Sequence, residues 1–465
     1  MFTSKLNISL NSSFDFILNT FTSNTSRLVM GIPFLFASLV RSHKGITKPV
    51  KQRQDVDVFG VDFNCLIHRY LKEDNPVGSI IEAFAHIVET VCRPKHLLIA
   101  MDGIVPYAKI VQQRYRRMRI KTEDDKGFDR NQISPGTPYM RELEQALKNR
   151  FPYAQISSTA EEGEGEHKLF TMLRKLPESE RRNVSIYGLD ADLILICLQH
   201  ASVTSQMTLL RESAEFNDPK LASAEFSVLQ IQTLLNELPL PVDQYVALSI
   251  LCFGNDFMPN LAMFSLREGG YERALEIYEK AGNPDLLTFE GRDAFLDMAE
   301  QSELKTLKER ISLRRRPEEK ALMGKDGSQF YKQYYLHNLD GVCDTEKVVD
   351  AFWKTFHWTL HYFRTNEPMN WDWVYPYPDA PLLKTILDYP ETTPHIGERT
   401  FGITQQLQFI LPAKSLRISK KLLKFPDELH SETRHPWMKR HDWEMKPRIS
   451  LPWHPTADLT EISPL

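Results

Sequence analysis

The sequence predicts an α/β protein: a mostly parallel, twisted sheet flanked by helices, with a second, mainly helical and aromatic-rich region packed against it. Three observations lead there. Short apolar runs alternate with amphipathic charged segments, the pattern of βαβ units. Acidic residues recur just after those runs, at the strand ends where parallel sheets place their sites. From about residue 328 the chain turns strongly aromatic.

The elements follow in order. Residues 1–29 are rich in Ser, Thr and Asn with one acid, Asp15, and are expected to be a disordered extension. Organised sequence starts at Met30-Gly31-Ile32-Pro33, and Phe34–Val40 reads as an amphipathic helix. Val56–Phe63 alternates into a strand that closes on Asp62 and Asn64, and a helix is expected from about Gly78 to Cys92. His96–Met101 is a second short strand, ending at Asp102-Gly103. Pro106 suits a first helical turn, after which Lys109, Gln113, Arg116 and Arg117 fall at i, i+4, i+7 and i+8, on one face. A helix over Arg141–Arg150 follows. Val184–Tyr187 is a third strand, and Val242–Pro259 an apolar helix running into Gly254-Asn255-Asp256. Four regions result: the extension 1–29, a core 30–282, a charged helical linker 283–327, and a second region 328–465 completing the site pocket. Within the last, Gln405–Pro412 reads as a helix and turn.

The acids carry the chemistry. Glu164 and Glu166, each preceded by glycine, come before the third strand, and Asp190 and Asp192 come after it. Acidic side chains at the end of a buried strand need charge compensation, and a bound cation is the usual source. Oxygen-only donors favour Mg2+, with Mn2+ able to substitute. Two such ions about 3.5–4 Å apart suit phosphodiester hydrolysis. Asp62, Asp102 and Asp256 are placed the same way and join the candidate set. A bland reading exists for each part: Asp190 and Asp192 as a helix cap and a solvated acid, Glu164 and Glu166 as an exposed loop, the basic face as a solvated helix.

Composition sets bounds. The chain has 465 residues, 42% hydrophobic and 25% charged, ordinary for a globular protein. A net charge of −4 does not itself point to nucleic acid, but a metal nuclease can keep acids in its pocket and bases around it. Cys65, Cys92, Cys197, Cys252 and Cys343 are widely spaced without a CxxC or Cys/His cluster, which argues against structural zinc and for a reducing compartment, the cytoplasm before the nucleus. No apolar run is long enough for a transmembrane helix, so no membrane partner is expected.

Taken together the motifs resemble the XRN family of 5′→3′ exoribonucleases. MGIPFLF, the DFN of Asp62–Asn64, MDGIVPYAKIVQQRYRRMR (Met101–Arg119), FDRNQISPGTPYM, GEGEHK, YGLDADL, GNDFMP, YYLHNL, W.LHYF and W.WVYPYP occur in the family's order from Met30 to about Pro412. The resemblance implies a core related to PIN and flap nucleases. It implies a monomeric, Mg2+-dependent enzyme, using two ions, that removes mononucleotides from single-stranded RNA bearing a 5′-monophosphate. It carries over Asp62, Asp102, Glu164, Glu166, Asp190, Asp192 and Asp256 as metal-site carboxylates. Lys109, Gln113, Arg116 and Arg117 match the 5′-phosphate pocket, and His68 and Trp358 the pair that stacks on the terminal bases. The chain departs from the cellular pattern in a short Lys121–Gly127 connection, a short linker, and the lack of the family's C-terminal extensions and zinc knuckle. Those departures suggest a compact, stripped member such as a virus could encode. Two other functions compete: a structure-specific 5′ nuclease of flap type, and a non-catalytic RNA-binding scaffold. The GEGEHK, ISPGT and WVYPYP motifs favour the exonuclease, and no metal-site acid is missing.

Overall fold

In a computed structural model of the chain, the apolar runs do form one seven-stranded sheet, and its strand order explains where the acids go. The structure describes residues 32, 34–117, 128–188, 190–216, 221, 223–313, 329–339, 344–377 and 379–411. The strands are β1 (Thr47–Pro49), β2 (Gln54–Asp62), β3 (Cys92–Ala100), β4 (Gln155–Ser157), β5 (Asn183–Tyr187), β6 (Gln206–Glu212) and β7 (Phe226–Gln230). Their order is β1-β7-β6-β5-β2-β3-β4. The five strands from β6 to β4 are mutually parallel, while β7 runs antiparallel to both β6 and β1. The chain winds outward from β2 through β3 to β4, then returns to β5 on the other side of β2. That reversal makes the carboxyl ends of β2 and β5 a topological switch point, the usual place for a ligand in such a sheet.

Both faces of the sheet are covered, as parallel strands require. In β3, Leu98 and Ala100 face one core while Leu97 and Ile99 face the other; in β6, Met207 and Leu209 oppose Leu210. The second core is built by the helices Phe63–Tyr70, Gly78–His86 and Pro138–Arg150. The helix expected to reach Cys92 stops at His86 and continues as a single π turn, Ile87–Val91, because Cys92 already belongs to β3.

The first core extends well beyond the sheet. It joins Leu193 and Ile194 of the helix Asp192–Gln199 to Tyr245 and Leu248 of Val242–Phe253, and on to Phe352, Trp358 and Tyr362 of Thr345–Thr365. The stretch expected as a linker supplies the helix Phe289–Leu313, which buries Phe295, Leu296, Ala299 and Leu307 in this same core. Arg292 there donates to Glu391, and Glu303 accepts from the Leu383 amide at 3.0 Å. A charged surface had masked this apolar stripe in the sequence. Cys65, Cys92, Cys197 and Cys252 are buried free thiols, and Cys343 lies outside the described residues. Among the described residues no helix is long and apolar enough to cross a membrane.

Candidate metal centre

Sheet register brings the first three acids together. Asp62, the last residue of β2, pairs with Ala100 at the end of β3, and Asp102 follows two residues later. Val61 pairs with Tyr187, the last residue of β5, and Asp190 lies just beyond. Three parallel neighbours thus release Asp62, Asp102 and Asp190 at one rim. The helix Gly165–Lys175 starts at that rim, and the Gly165 amide donates to Asp102 at 2.8 Å. A helix N-terminus suits negative charge because its first amides have no partner within the helix. Gly165 has to be glycine here, since a Cβ would stand 2.8 Å from an Asp62 oxygen. Glu164 and Glu166 flank it, so the same helix end delivers both glutamates. Asp192 opens the helix Asp192–Gln199, and its carboxyl accepts the backbone amide of Asp256. Asp256 sits in the turn after Val242–Phe253, where Gly254 takes a left-handed φ of 64°.

All seven predicted carboxylates therefore converge, drawn from sheet and helix ends distant in sequence. Their electrostatics show the crowding. Burial, then the charges of Asp102 and Asp190, push Asp62 up to about 7, against the Cys65 thiol that donates to it at 2.8 Å. Burial lifts Glu164 to about 6, with Lys109 opposing. Glu166 and Asp192 are held well above the carboxylate range by burial, with Asp190 the largest charge on each. The cation in their midst is Lys109. Its Nζ stands 2.6 Å from Glu164 and 3.1 Å from Asp256. Burial acts to lower its pKa, but Glu164, Asp256, Glu166 and Asp190 together hold it well above the lysine range.

The residues fit a hard divalent cation by donor chemistry. The set is all carboxylate, and the buried oxygens Asp62 Oδ1 and Asp192 Oδ1 accept no hydrogen bond. A carboxylate that is buried and short of donors gains most from a cation. Among the described residues no three acids, histidines or cysteines already enclose one point as a finished ligand shell; Lys109 fills the space between Glu164 and Asp256 instead.

The basic face divides on folding. Lys109 turns into the acids rather than outward beside its helix-mates. Gln113 is buried, and its Oε1 has no partner. Arg117 is half-buried and donates to the Ile133 carbonyl at 3.0 Å. Arg116 lies in the helix Tyr107–Arg117, but its side chain is outside the described residues. Arg114, on another face, is fully buried, donates to the Phe409 carbonyl and lies over the Phe409 ring at 5.0 Å. It ties this helix to Ile403–Ile410.

The expected stacking pair is not assembled. His68 is exposed on Phe63–Tyr70. Trp358 has no exposed surface: its indole N–H donates to the Asn370 carbonyl at 2.6 Å, and Phe257 and Tyr362 pack against its ring at 5.0 and 5.2 Å. The stacking expectation for Trp358 is corrected on that ground, because a base needs an open ring face. The residue of that helix that reaches the acids is Tyr362, one turn on, whose hydroxyl donates to Glu164 at 3.0 Å. The i, i+4 spacing within the WTLHY stretch is the sequence signal for it. Trp371 is the half-buried tryptophan beside the basic helix, its carbonyl accepting from the Tyr107 amide at 2.8 Å.

Two further positioning groups join the site: Arg211, which had no sequence signal, and His167, the histidine of the GEGEHK motif. Arg211, buried on β6, donates to the carbonyls of Gly188 at 3.0 Å and Asp190 at 2.7 Å, and so shapes the turn that presents Asp190. His167 stacks on Tyr362 at 3.8 Å; burial depresses its pKa to about 3, so it adds no charge beside Glu164.

Residues 30–127 and 119–213 match the family model described as XRN 5'-3' exonuclease N-terminus. Among curated proteins, the chain is 27% identical over 319 residues to 5'-3' exoribonuclease 1 of Saccharomyces cerevisiae, covering 54% of this chain and 21% of that protein. It is 24% identical over 527 residues to 5'-3' exoribonuclease 1 of Homo sapiens, covering 83% and 31%. With the 5'-3' exoribonuclease 2 homolog of Caenorhabditis elegans the identity is 28%, covering 50% and 34%. The chain thus spans between about a fifth and a third of the length of these relatives. Among solved structures, the catalytic core of Rad2 in complex with DNA substrate aligns with 74% of this chain and 90% of that one, at 16% identity and a TM-score of 0.38.

Proposed function

We propose that this chain, which belongs to the XRN family, is a 5′→3′ exoribonuclease that hydrolyses single-stranded RNA bearing a 5′-monophosphate with the help of divalent cations. The observation that carries the reading is the convergence of Asp62, Asp102, Glu164, Glu166, Asp190, Asp192 and Asp256 on the switch point of the sheet, with orphaned oxygens on Asp62 and Asp192. These residues would hold the ions, Mg2+ or Mn2+, which when bound supply an activated water and a counter-charge for the leaving oxygen.

The chain's own groups do the rest. Cys65 and the Gly165 amide hold Asp62 and Asp102 in place by hydrogen bonds, and Tyr362 does the same for Glu164. Lys109 keeps the acidic cluster from expanding when no cation neutralises it. Its ammonium is also close enough to neutralise phosphate charge that enters the rim. Gln113, Arg116 and Arg117, farther along that helix, are the groups we assign to the 5′-phosphate. His68 is the exposed ring on the β2 side of the rim and is assigned to the terminal bases.

The test is a uniformly labelled single-stranded RNA bearing a 5′-monophosphate, a 5′-hydroxyl or a 5′-triphosphate, incubated in Mg2+. Release of mononucleotides from the monophosphate substrate alone supports the reading. Cutting at a branched DNA substrate, with RNA left intact, would make the chain a flap-type nuclease. Binding of RNA without hydrolysis in either ion would make it a scaffold.

A further inference from the structure

The last two residues of β6 serve opposite faces of the sheet, as successive residues of a strand must. Arg211 lies over the Phe36 ring at 5.1 Å on the side of the first core, where it shapes the turn of Asp190. Glu212 turns to the second core and meets the helix Phe63–Tyr70. It is a buried carboxylate whose hydrogen bonds arrive at one oxygen. The hydroxyls of Tyr70 and Tyr187 each donate to its Oε1 at 2.7 Å, while its Oε2 is closed off without a donor. Burial, and next the charge of Glu212, hold both phenols well above their usual range, so both stay protonated donors. The Arg69 guanidinium stands 3.9 Å from that same oxygen and 3.1 Å from Glu215. A buried carboxylate is costly unless donors and a counter-charge hold it. Arg69 and Tyr70, neighbours in the last turn of one helix, supply much of that hold.

The same turn carries His68, the exposed ring assigned to the terminal bases. The helix has eight residues, too few to be stable alone, so contacts with the rest of the chain decide how well each turn is ordered. Its first turn is fixed at the acidic rim, where Cys65 donates to Asp62 and Asn64 accepts from the Asp102 amide at 3.2 Å. Its last turn is fixed by Glu212.

We propose that Glu212 is a positioning residue for RNA, which anchors the last turn of this helix through Tyr70 and Arg69 and so sets the place of the His68 ring at the rim. The proposal rests on the assignment of His68 to the terminal bases and adds the group that holds that ring ready. A ring already fixed stacks on a base without first losing its own freedom, so loosening its anchor weakens RNA binding. The metal acids are held by other contacts, Asp190 through Arg211 and Asp62 through Cys65, so the chemical step is left alone.

The test measures binding of a 5′-phosphorylated RNA with a 3′ fluorophore by anisotropy, in the Asp192→Asn background so that the RNA stays whole, and kcat and KM in the chain that keeps Asp192. Tyr70→Phe removes one hydroxyl at a half-buried position and keeps the ring. It should weaken binding and raise KM by about tenfold, with kcat at saturating RNA and the Mg2+-dependent rise in melting temperature unchanged. Glu212→Gln keeps the shape, removes the charge that Arg69 faces, and should act in the same direction. His68→Ala should weaken binding on its own, and Tyr70→Phe added to it should cost nothing more, since both act through one ring. Undiminished binding in both Tyr70→Phe and Glu212→Gln overturns the proposal. So does a loss of kcat or of Mg2+ stabilisation at unchanged KM, or a Tyr70→Phe effect that persists in full without His68. Wild-type binding by His68→Ala removes the stacking assignment itself, and the proposal with it.

Discussion

Asp62→Asn separates the metal reading from any purely structural role for the acids. Asp62 is buried at the end of β2, with Asp102 and Asp190 as the like charges that raise it most and Cys65 as its donor. Raising a carboxyl from 3.8 to about 7 corresponds to roughly 4 kcal/mol of disfavoured ionisation. The sign follows from proton counting. Between the two values the folded chain keeps a proton that the unfolded chain has released, so metal-free stability falls as pH rises from about 4 to 7 and is flat above. Asparagine keeps the shape and can still accept from Cys65 but cannot ionise. In EDTA at pH 8 the variant should therefore be more stable than the wild type, by up to roughly 4 kcal/mol, and the gap should close towards pH 4. Adding Mg2+ reverses the order, because a cation bound only by the folded state stabilises it by mass action. Turnover of 5′-monophosphate RNA should be lost. The assay is a set of thermal melts at pH 5, 6, 7 and 8 in EDTA and in Mg2+, beside a single-turnover digestion. The reasoning is refuted if the EDTA difference between wild type and variant does not grow with pH. It is equally refuted if the variant keeps the full Mg2+ stabilisation.

Asp192→Asn should likewise abolish turnover in saturating Mg2+ while RNA binding persists, and wild-type rates in that variant would remove Asp192 from the site. Tyr362→Phe deletes one hydrogen bond to Glu164 and should cost about 1 kcal/mol of stability, with a larger Mg2+ requirement; an unchanged Mg2+ dependence would make the contact structural only. Arg117→Ala and Gln113→Ala should lower the ratio of 5′-monophosphate to 5′-hydroxyl RNA cleavage by about one to two decades, and equal ratios would place end recognition elsewhere. Trp358→Ala should destabilise by roughly 3–5 kcal/mol, read by urea melts; a stable variant with weakened RNA binding would return Trp358 to the substrate.

The sequence by itself determined the class of fold and the cast of acids, for a local reason. An apolar run that ends in a carboxylate conflicts with burial wherever it occurs, so Asp62, Asp102 and Asp190 stand out without knowledge of their neighbours. Glycines beside Glu164 and Glu166 mark a close approach that the Gly165 geometry explains. What only the tertiary structure decided is which way the ambiguous side chains face. Lys109 belongs to the same helical stripe as Gln113 and Arg117, yet it turns into the acids, because Glu164 and Asp256 arrive there from distant segments. Trp358 and Tyr362 share one helix face, and packing of Phe257 against Trp358 buries the first, while the second reaches Glu164. The helix Phe289–Leu313 looks like a solvated linker until its apolar residues meet the core of the sheet. Arg211 and Cys65 acquire their roles only from the backbone and carboxylate they contact. Burial and charge pairing are properties of pairs of segments, and a single chain read in order records only one member of each pair.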